Sequence, residues 1–283
     1  MPAVFCRARL YLGKMAALSK HTPTIQSTPS ALAILPLARP FCGTQSLPAS
    51  ATGRSTLVAN PPPLRARGRA LQELLDGKDE EKEEAEDPGL PAVTTLSWES
   101  PLTILKYPDP RLRAPNAPVG CFDDSLRQLA EEMFVVMYDD DGVGLAAPQV
   151  GANVRLMVFN ETGDKEKREA EVVLVNPRII STSKDGKVFE EGCLSFPNLY
   201  GDVIRPSKVR VRAQDLSGKS FVINISGFPA RIFQHEYDHL QGTLFCDRMV
   251  PEALAETRKE LVKMEEEFIA ANPGVEVQRI PNV

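Results

Sequence analysis

Residues Phe233–Gly242 read FQHEYDHLQG. The chain has three histidines, and apart from His21 they all stand here, four residues apart, with Glu236 beside the first. In a helix, residues i and i+4 stand one turn apart on the same face, so His235 and His239 can aim ring nitrogens at a single point. Glu236 would lie close to an ion held there yet angled away from it, placed to take a proton from activated water rather than to ligate. The HExxH spacing therefore predicts a helix that carries two metal ligands and a base. The lesser alternative, for the motif by itself, is a satisfied histidine pair on a polar helix face. The flanks define the helix: in GFPARIFQHEYDHLQG, Pro229 suits a first turn and Gly242 falls just past the end.

Working outward, DDSLRQLAEEMFVVMYDD (Asp123 to Asp140) spaces Leu126, Leu129, Ala130, Met133, Val136 and Met137 at three and four, which predicts an amphipathic helix capped by Asp123 or Asp124. Short β-branched runs follow from Val154, Val172, Lys208 and Ser220. Asp185-Gly186 and Ser217-Gly218 are turn signals among them, so antiparallel pairing is expected rather than a parallel βαβ array. Pro251 to Ala271 reads as a long exposed helix stopped by Asn272, Pro273 and Gly274. The expected class is α+β: antiparallel strands around a central HExxH helix, with an N-terminal and a C-terminal helix.

The N-terminal quarter differs in kind. Residues 1–70 contain no Asp or Glu, while nine Lys and Arg are scattered among Ser, Thr, Ala and Pro. That is the composition of an organelle transit peptide, assigned here to residues 1–75. The apolar stretch ALAILPLA (Ala31 to Ala38) is too short and Pro-interrupted to span a bilayer, and no membrane association is expected. The charge then reverses in DGKDEEKEEAED (Asp76 to Asp87), read with its flank as an acidic linker over residues 76–98. With the nine leader cations removed from 33 Lys and Arg, 24 face 38 Asp and Glu, a formal charge of −14. Such a protein is a poor nonspecific nucleic-acid binder, which needs clustered cations against phosphate. Five cysteines, two of them (Cys6 and Cys42) in the leader, leave Cys121, Cys193 and Cys246 without disulfide spacing, which fits a reducing compartment. Cys121 and Cys246 read as packing thiols. Trp98 sits where the incoming chain meets the folded part.

A catalytic site of the HExxH kind needs a third protein ligand and an open position for water. His239 is followed by LQGTLFCDRM, so the metzincin continuation with a third histidine is absent. Upstream, EEGCLSFP offers Cys193 among glycine and turn residues that could present a thiolate at a strand end. Alone, that cysteine reads more readily as a small buried apolar residue. A third segment, GVGLAAPQVG (Gly142 to Gly151), opens with two glycines that permit close backbone approach, Gly142 and Gly144, and has a lone amide at Gln149.

GVGLAAPQ, EGCLS and QHEYDH in that order resemble the peptide deformylases, over about Pro101 to Met249. The phenylalanine of EGCLSFP and the leader look like the plastid type, which implies a plastid stromal location with the mitochondrion as second or alternative site. The resemblance implies a deformylase domain over residues 99–272 and a C-terminal tail over 273–283. It implies hydrolysis of the formyl group from N-formylmethionyl nascent peptides, with release of formate. By the same resemblance Cys193, His235 and His239 hold one divalent metal, Fe(II) favoured and Zn(II), Ni(II) or Co(II) compatible, and Glu236 is general base and then proton donor. Gln149 and the backbone of Leu194 meet the developing oxyanion. Gly142, Val143, Gly144, Gly192, Phe228 and Ile232 bind substrate, the glycines leaving main chain open to an added peptide strand and the apolar residues walling a methionine slot.

Two positions depart from the family pattern. Tyr200 stands where many bacterial relatives have an arginine, which removes a charged contact to the peptide. The C-terminal helix carries Glu252, Glu256, Glu260, Glu265, Glu266 and Glu267 against Arg258, Lys259 and Lys263, so transient proximity to the ribosome would not rest on phosphate docking. Two rival readings stay open on the sequence, an HExxH endopeptidase that cuts internal bonds and an inactive relative with a structural metal. Intact Glu236 and Gln149 argue against the second, because a structural site needs neither.

Overall fold

The computed structural model describes residues 89–280. The transit segment and the acidic run at Asp76 to Asp87 lie outside the described residues. Helix α1 (Asp124–Asp139) starts where Asp123 Oδ1 accepts hydrogen bonds from the backbone N–H of Ser125 and Leu126, relieving two donors that the first turn leaves without helical partners. Its buried stripe is Leu126, Leu129, Ala130, Met133, Phe134 and Met137. Phe134 takes the place expected for Val136, which is only half-buried, because the stripe drifts around the helix at 3.6 residues per turn.

Five strands form one antiparallel sheet: β1 (Gly144–Ala146), β2 (Leu156–Phe159), β3 (Val172–Thr182), β6 (Lys208–Gln214) and β7 (Ser220–Ser226), in the order β1-β2-β3-β6-β7. Strands β4 (Lys187–Cys193) and β5 (Phe196–Arg205) form a separate two-stranded ribbon. The antiparallel expectation holds, but the ribbon escaped the strand pattern. Two glycines, Pro197 and the Glu190-Glu191 pair dilute its β-branched signal, and a two-stranded ribbon has the free edges where a proline is tolerated.

Helix α2 (Gly227–Leu240) carries the HExxH stretch, with Pro229 in its first turn and Gly242 beyond its end at φ +69°. There a side chain would be strained, and a Cβ would also stand 3.0 Å from the Arg113 carbonyl. The sheet divides the interior into two cores. Met157 and Phe159 of β2 pack with Ala230, Ile232, Phe233 and Leu240 of α2, whereas Leu156 and Val158 pack with the α1 stripe. Alternate residues of a strand point to opposite faces, so β2 is apolar without a break and buried at all four positions. Burying a side chain such as Phe233 contributes roughly 1.5–3 kcal/mol, and this is what holds α2 at the centre.

A short helix, α3 (Phe245–Arg248), leads into α4 (Pro251–Ala271), which lies against β5. Helix α4 has the expected bounds, and most of it is exposed, but Leu261 and Glu265 are buried. Glu265 Oε1 accepts from Tyr107 Oη at 2.5 Å and from the Ile280 N–H at 2.8 Å, so the tail segment folds back onto the domain. At the other end, Val93 pairs with Val119, and Trp98 Nε1 donates to Glu132. Residues 93 and 98, assigned above to the linker, therefore pack against the domain. Cys121 and Cys246 are buried free thiols within the cores.

Candidate active site

Three elements meet at the site. Cys193 ends β4, and the turn at Leu194 and Ser195 returns the chain into β5, so the thiol is presented at a strand end. His235 and His239 stand one turn apart on α2. One ligand atom from each of the three residues lies within 4.8 Å of the others, and Cys193 Sγ stands 3.3 Å from His239 Nε2. An ion bonded to sulfur at about 2.3 Å and to imidazole nitrogen at about 2.0 Å needs donors spaced by a few ångströms, and this cluster provides that spacing.

The electrostatics fit the same occupant. Burial pushes the Cys193 thiol up, out of the range where a thiolate forms unaided, so a cation is needed to make it a ligand. Burial, then the neighbouring His235 and Arg205, push His239 well below the usual histidine range, which keeps it neutral and able to donate a lone pair. Glu236 is fully buried, and neither of its carboxylate oxygens has a hydrogen-bond partner in the protein. Burial raises its pKa well above the ordinary carboxylate value. A carboxylate left in that state beside two histidines suits a cation and a water molecule arriving together.

The orientation of His235 is set by a residue that sequence reasoning did not single out. Its Nδ1 lies 3.0 Å from Glu191 Oε2, which leaves Nε2 for an ion. Glu191 in turn accepts from Arg205 Nε at 2.7 Å, Arg205 Nη2 at 3.0 Å and Arg231 Nη1 at 2.6 Å, all buried. Burial alone would raise this carboxyl; Arg205 and His235 overcome it and hold Glu191 well below the usual range. Arg205 also binds Asp238 at 2.7 Å, so α2 is tied to the ribbon between its histidines as well as before them. The available signal was a glutamate two residues before a candidate ligand.

Gln149, also fully buried, lies in the 3₁₀ turn Ala147–Val150 after β1. Its Oε1 accepts from the Ala146 N–H at 2.9 Å, which fixes the amide so that Nε2 faces Ser195 Oγ at 3.2 Å and Cys193 Sγ at 3.6 Å. The structure thus brings Gln149, Cys193, His235, Glu236 and His239 together, with Leu194 adjoining. Lys106, also not foreseen, donates to the Leu194 carbonyl at 2.8 Å and reaches Asp140 at 3.4 Å.

The fold gives the glycines a physical reason that the sequence did not show. A Cβ on Gly144 would stand 2.6 Å from Glu236 Oε1 and 2.7 Å from Ile232 Cγ2; on Gly142, 2.7 Å from Leu194 Cδ1; on Gly192, 2.9 Å from the Tyr200 ring. They permit the protein's own parts to close on one another. Val143 and Ile232 are buried in the core beside α2, with Phe228 half-buried against it. A cavity of about 160 Å³ next to Cys193 is lined instead by Lys106, Asp140, Gly192, Leu194, Phe196 and Tyr200, among others.

The family model for polypeptide deformylase matches residues 101–255. The chain belongs to the peptide deformylase family. Among deformylases, it is 44% identical to peptide deformylase 1B, chloroplastic, of Oryza sativa subsp. japonica over 260 residues, 92% of each chain. It is 46% identical to peptide deformylase 1B, chloroplastic/mitochondrial, of Arabidopsis thaliana over 206 residues, 73% of this chain and 72% of that one. The crystal structure of a plant deformylase 1B superposes with a TM-score of 0.63 at 48% identity, covering 66% of this chain and all of the other. That of the Plasmodium falciparum deformylase gives 0.59 at 40% identity, covering 62% of this chain and all of the other. The protein is a plastid-type deformylase. Its activity is that of a metal-dependent hydrolase that removes the N-formyl group from nascent polypeptides.

Proposed function

We propose that Glu236, Gln149 and Leu194 carry out deformylation at a divalent cation held by Cys193, His235 and His239. The supporting observation is Glu236: a buried carboxylate without a protein partner, one residue from a histidine of the ligand cluster. The ion, when bound, supplies Lewis acidity to polarise the reacting groups. Glu236 takes a proton from the attacking water as its oxygen bonds to the formyl carbon. The Gln149 Nε2 and Leu194 N–H groups meet the negative charge that develops on the formyl oxygen, and pre-aimed donors of this kind are commonly worth about 3 kcal/mol each. The carbon–nitrogen bond then breaks, Glu236 passes its proton to the departing amine, and formate is released.

A formamide is small and uncharged, so binding energy must come from the rest of the peptide. Strand β1 ends the five-stranded sheet, and its outer edge supports pairing with a nascent chain as an added strand, a contact indifferent to sequence. Gly142, Gly144 and Gly192 lie along that approach, and Val143, Phe228 and Ile232 supply the apolar wall for the methionine side chain. One sulfur and two imidazoles accept several ions; Fe(II) is the native one on this reading, with Zn(II), Ni(II) and Co(II) able to occupy the same donors. Any meeting with the ribosome is transient and does not use α4, whose exposed face is acidic.

Formate release from formyl-Met-Ala-Ser, compared with cleavage of an unformylated, internally quenched peptide, tests the assignment. Turnover of the formylated peptide alone is expected, and cleavage of internal bonds would overturn it. Anaerobic reconstitution with single metals tests the ion: higher activity with Fe(II) than with Zn(II) is expected, and equal activity would contradict the choice of iron.

A further inference from the structure

The two donors assigned to the developing charge come from different parts of the chain. Gln149 follows β1, whereas Leu194 lies in the turn between β4 and β5. Among the described residues the ribbon shares no strand pairing with the five-stranded sheet, so no ladder sets the distance between them. The ribbon's own ladder also slips between Gly192 and Cys193, directly before the turn. A single three-residue segment bonds to both sides. The Leu105 N–H donates to the Gln149 carbonyl at 2.7 Å, and the Tyr107 N–H donates to the Ser195 carbonyl at 2.9 Å. Between them, Lys106 Nζ donates to the Leu194 carbonyl at 2.8 Å.

The Lys106 bond falls on the middle of the turn. Turn types I and II differ in the orientation of the peptide unit joining their two central residues, here the Leu194 C=O and the Ser195 N–H. A trans peptide sets these two groups on opposite sides. Lys106 takes the carbonyl side, while the Ser195 N–H turns toward the Cys193 sulfur and Ser195 Oγ accepts from Gln149 Nε2 at 3.2 Å. Even a partial rotation of this unit would displace the Leu194 N–H, the donor to the sulfur and the partner of the Gln149 amide together. The ammonium stands at the site itself, since Lys106 lines the cavity next to Cys193, and the carbonyl is a nearer partner than Asp140 at 3.4 Å. We propose that Lys106 is a positioning residue for the reaction: its ammonium fixes the Leu194–Ser195 peptide so that the Leu194 N–H aims at the developing charge, while the N–H groups on either side set the spacing to Gln149. This inference rests on the assignment of Gln149 and Leu194 as the donors. Loss of Lys106 misaims a donor without deleting one, so the cost is about tenfold in kcat, below the roughly 10²- to 10³-fold of a deleted donor.

Lys106→Met keeps the apolar stem and removes the ammonium. In the metal-loaded full chain, kcat for formyl-Met-Ala-Ser should fall about tenfold with KM within about twofold of wild type. Metal content and thermal melt should match the wild type, because a half-exposed lysine adds little to stability. In the zinc-loaded protein, amide exchange at Leu194 and Ser195, read by NMR, should quicken about tenfold while the rest of β4 and β5 is unchanged. Lys106→Arg, which still presents a charged donor to the carbonyl, should return kcat to within about threefold of wild type. Asp140→Asn, which breaks only the surface pair, should leave kcat unchanged. Wild-type kcat in Lys106→Met, or a lower kcat with exchange at the turn unaltered, would overturn the proposal, and so would a loss that Lys106→Arg fails to restore. Gln149→Ala separates this from the underlying reading. If it keeps full activity, the donors are misassigned and both readings fall; a damaged Gln149→Ala beside an intact Lys106→Met overturns the role of Lys106 alone.

Discussion

Glu191 Oε2 lies 3.0 Å from His235 Nδ1 inside the protein, with Arg205 and Arg231 on the other edges of the same carboxylate. The residue therefore orients a candidate ligand and neutralises two buried cations at once. Glu191→Gln keeps the shape and loses the charge. Loss of one partner from a buried ion network costs roughly 3–5 kcal/mol, and loss of a residue that orients a ligand weakens metal affinity about 10- to 100-fold. Denaturant titration and competition with a chelator should show both effects, and normal metal affinity would remove Glu191 from the site.

Glu236→Gln and Cys193→Ala separate base from ligand. The first should lower kcat/KM by at least about 10²-fold, a typical contribution of general acid–base catalysis, while elemental analysis finds metal content near that of the wild type. The second should lose the metal. Activity retained by Glu236→Gln would refute the base assignment, whatever the metal content.

Gly144→Ala places a methyl carbon 2.6 Å from Glu236 Oε1, closer than contact allows. Because the Ile232 side chain is equally close, neither neighbour can give way without moving the base. The expected result is a folded protein that binds metal and loses kcat far more than substrate affinity, read from steady-state kinetics beside a thermal melt. Wild-type kcat in this variant would show that the base position is not sensitive to such crowding.

Asp247 offers a pH test away from the metal. Although burial would raise its carboxyl, Arg113 holds it below the usual value through bonds of 2.6 and 2.9 Å, and the Leu244 N–H adds a third. A carboxylate with a depressed folded-state pKa stabilises the protein above the unfolded value, near 4, and loses that contribution as pH falls through the lower folded value. Asp247→Asn should therefore cost about 1–3 kcal/mol at pH 7, and the gap to wild type should shrink as pH drops below about 4. A gap constant from pH 7 to pH 3 would contradict the ion pair.

Much of this arrangement was legible before any coordinates. The i, i+4 histidines define the central helix, since helical period and metal geometry demand the same spacing, and the bounds of α4 follow from Pro251 and the Asn-Pro-Gly stop. Cys193 was readable as a ligand only alongside the other motifs, because an isolated buried cysteine carries no signal of its own. The β4–β5 ribbon was not legible: Arg205 of β5 and Arg231 of α2 both reach Glu191 of β4, a tertiary bond network that leaves no period in the sequence. The glycines were found, but only part of their reason was legible. Their spacing shows that a side chain is excluded, and only the fold shows that the excluder is Glu236, Leu194 or Tyr200.

Strand β2, four residues long, faces α2 through Met157 and Phe159 and α1 through Leu156 and Val158. It is a party wall: neither room can be rebuilt without disturbing the other. Enlarging or trimming a side chain on the α1 side should register in the chemistry at Glu236, although no atom of that helix need touch the reacting groups, and the two halves should melt as one.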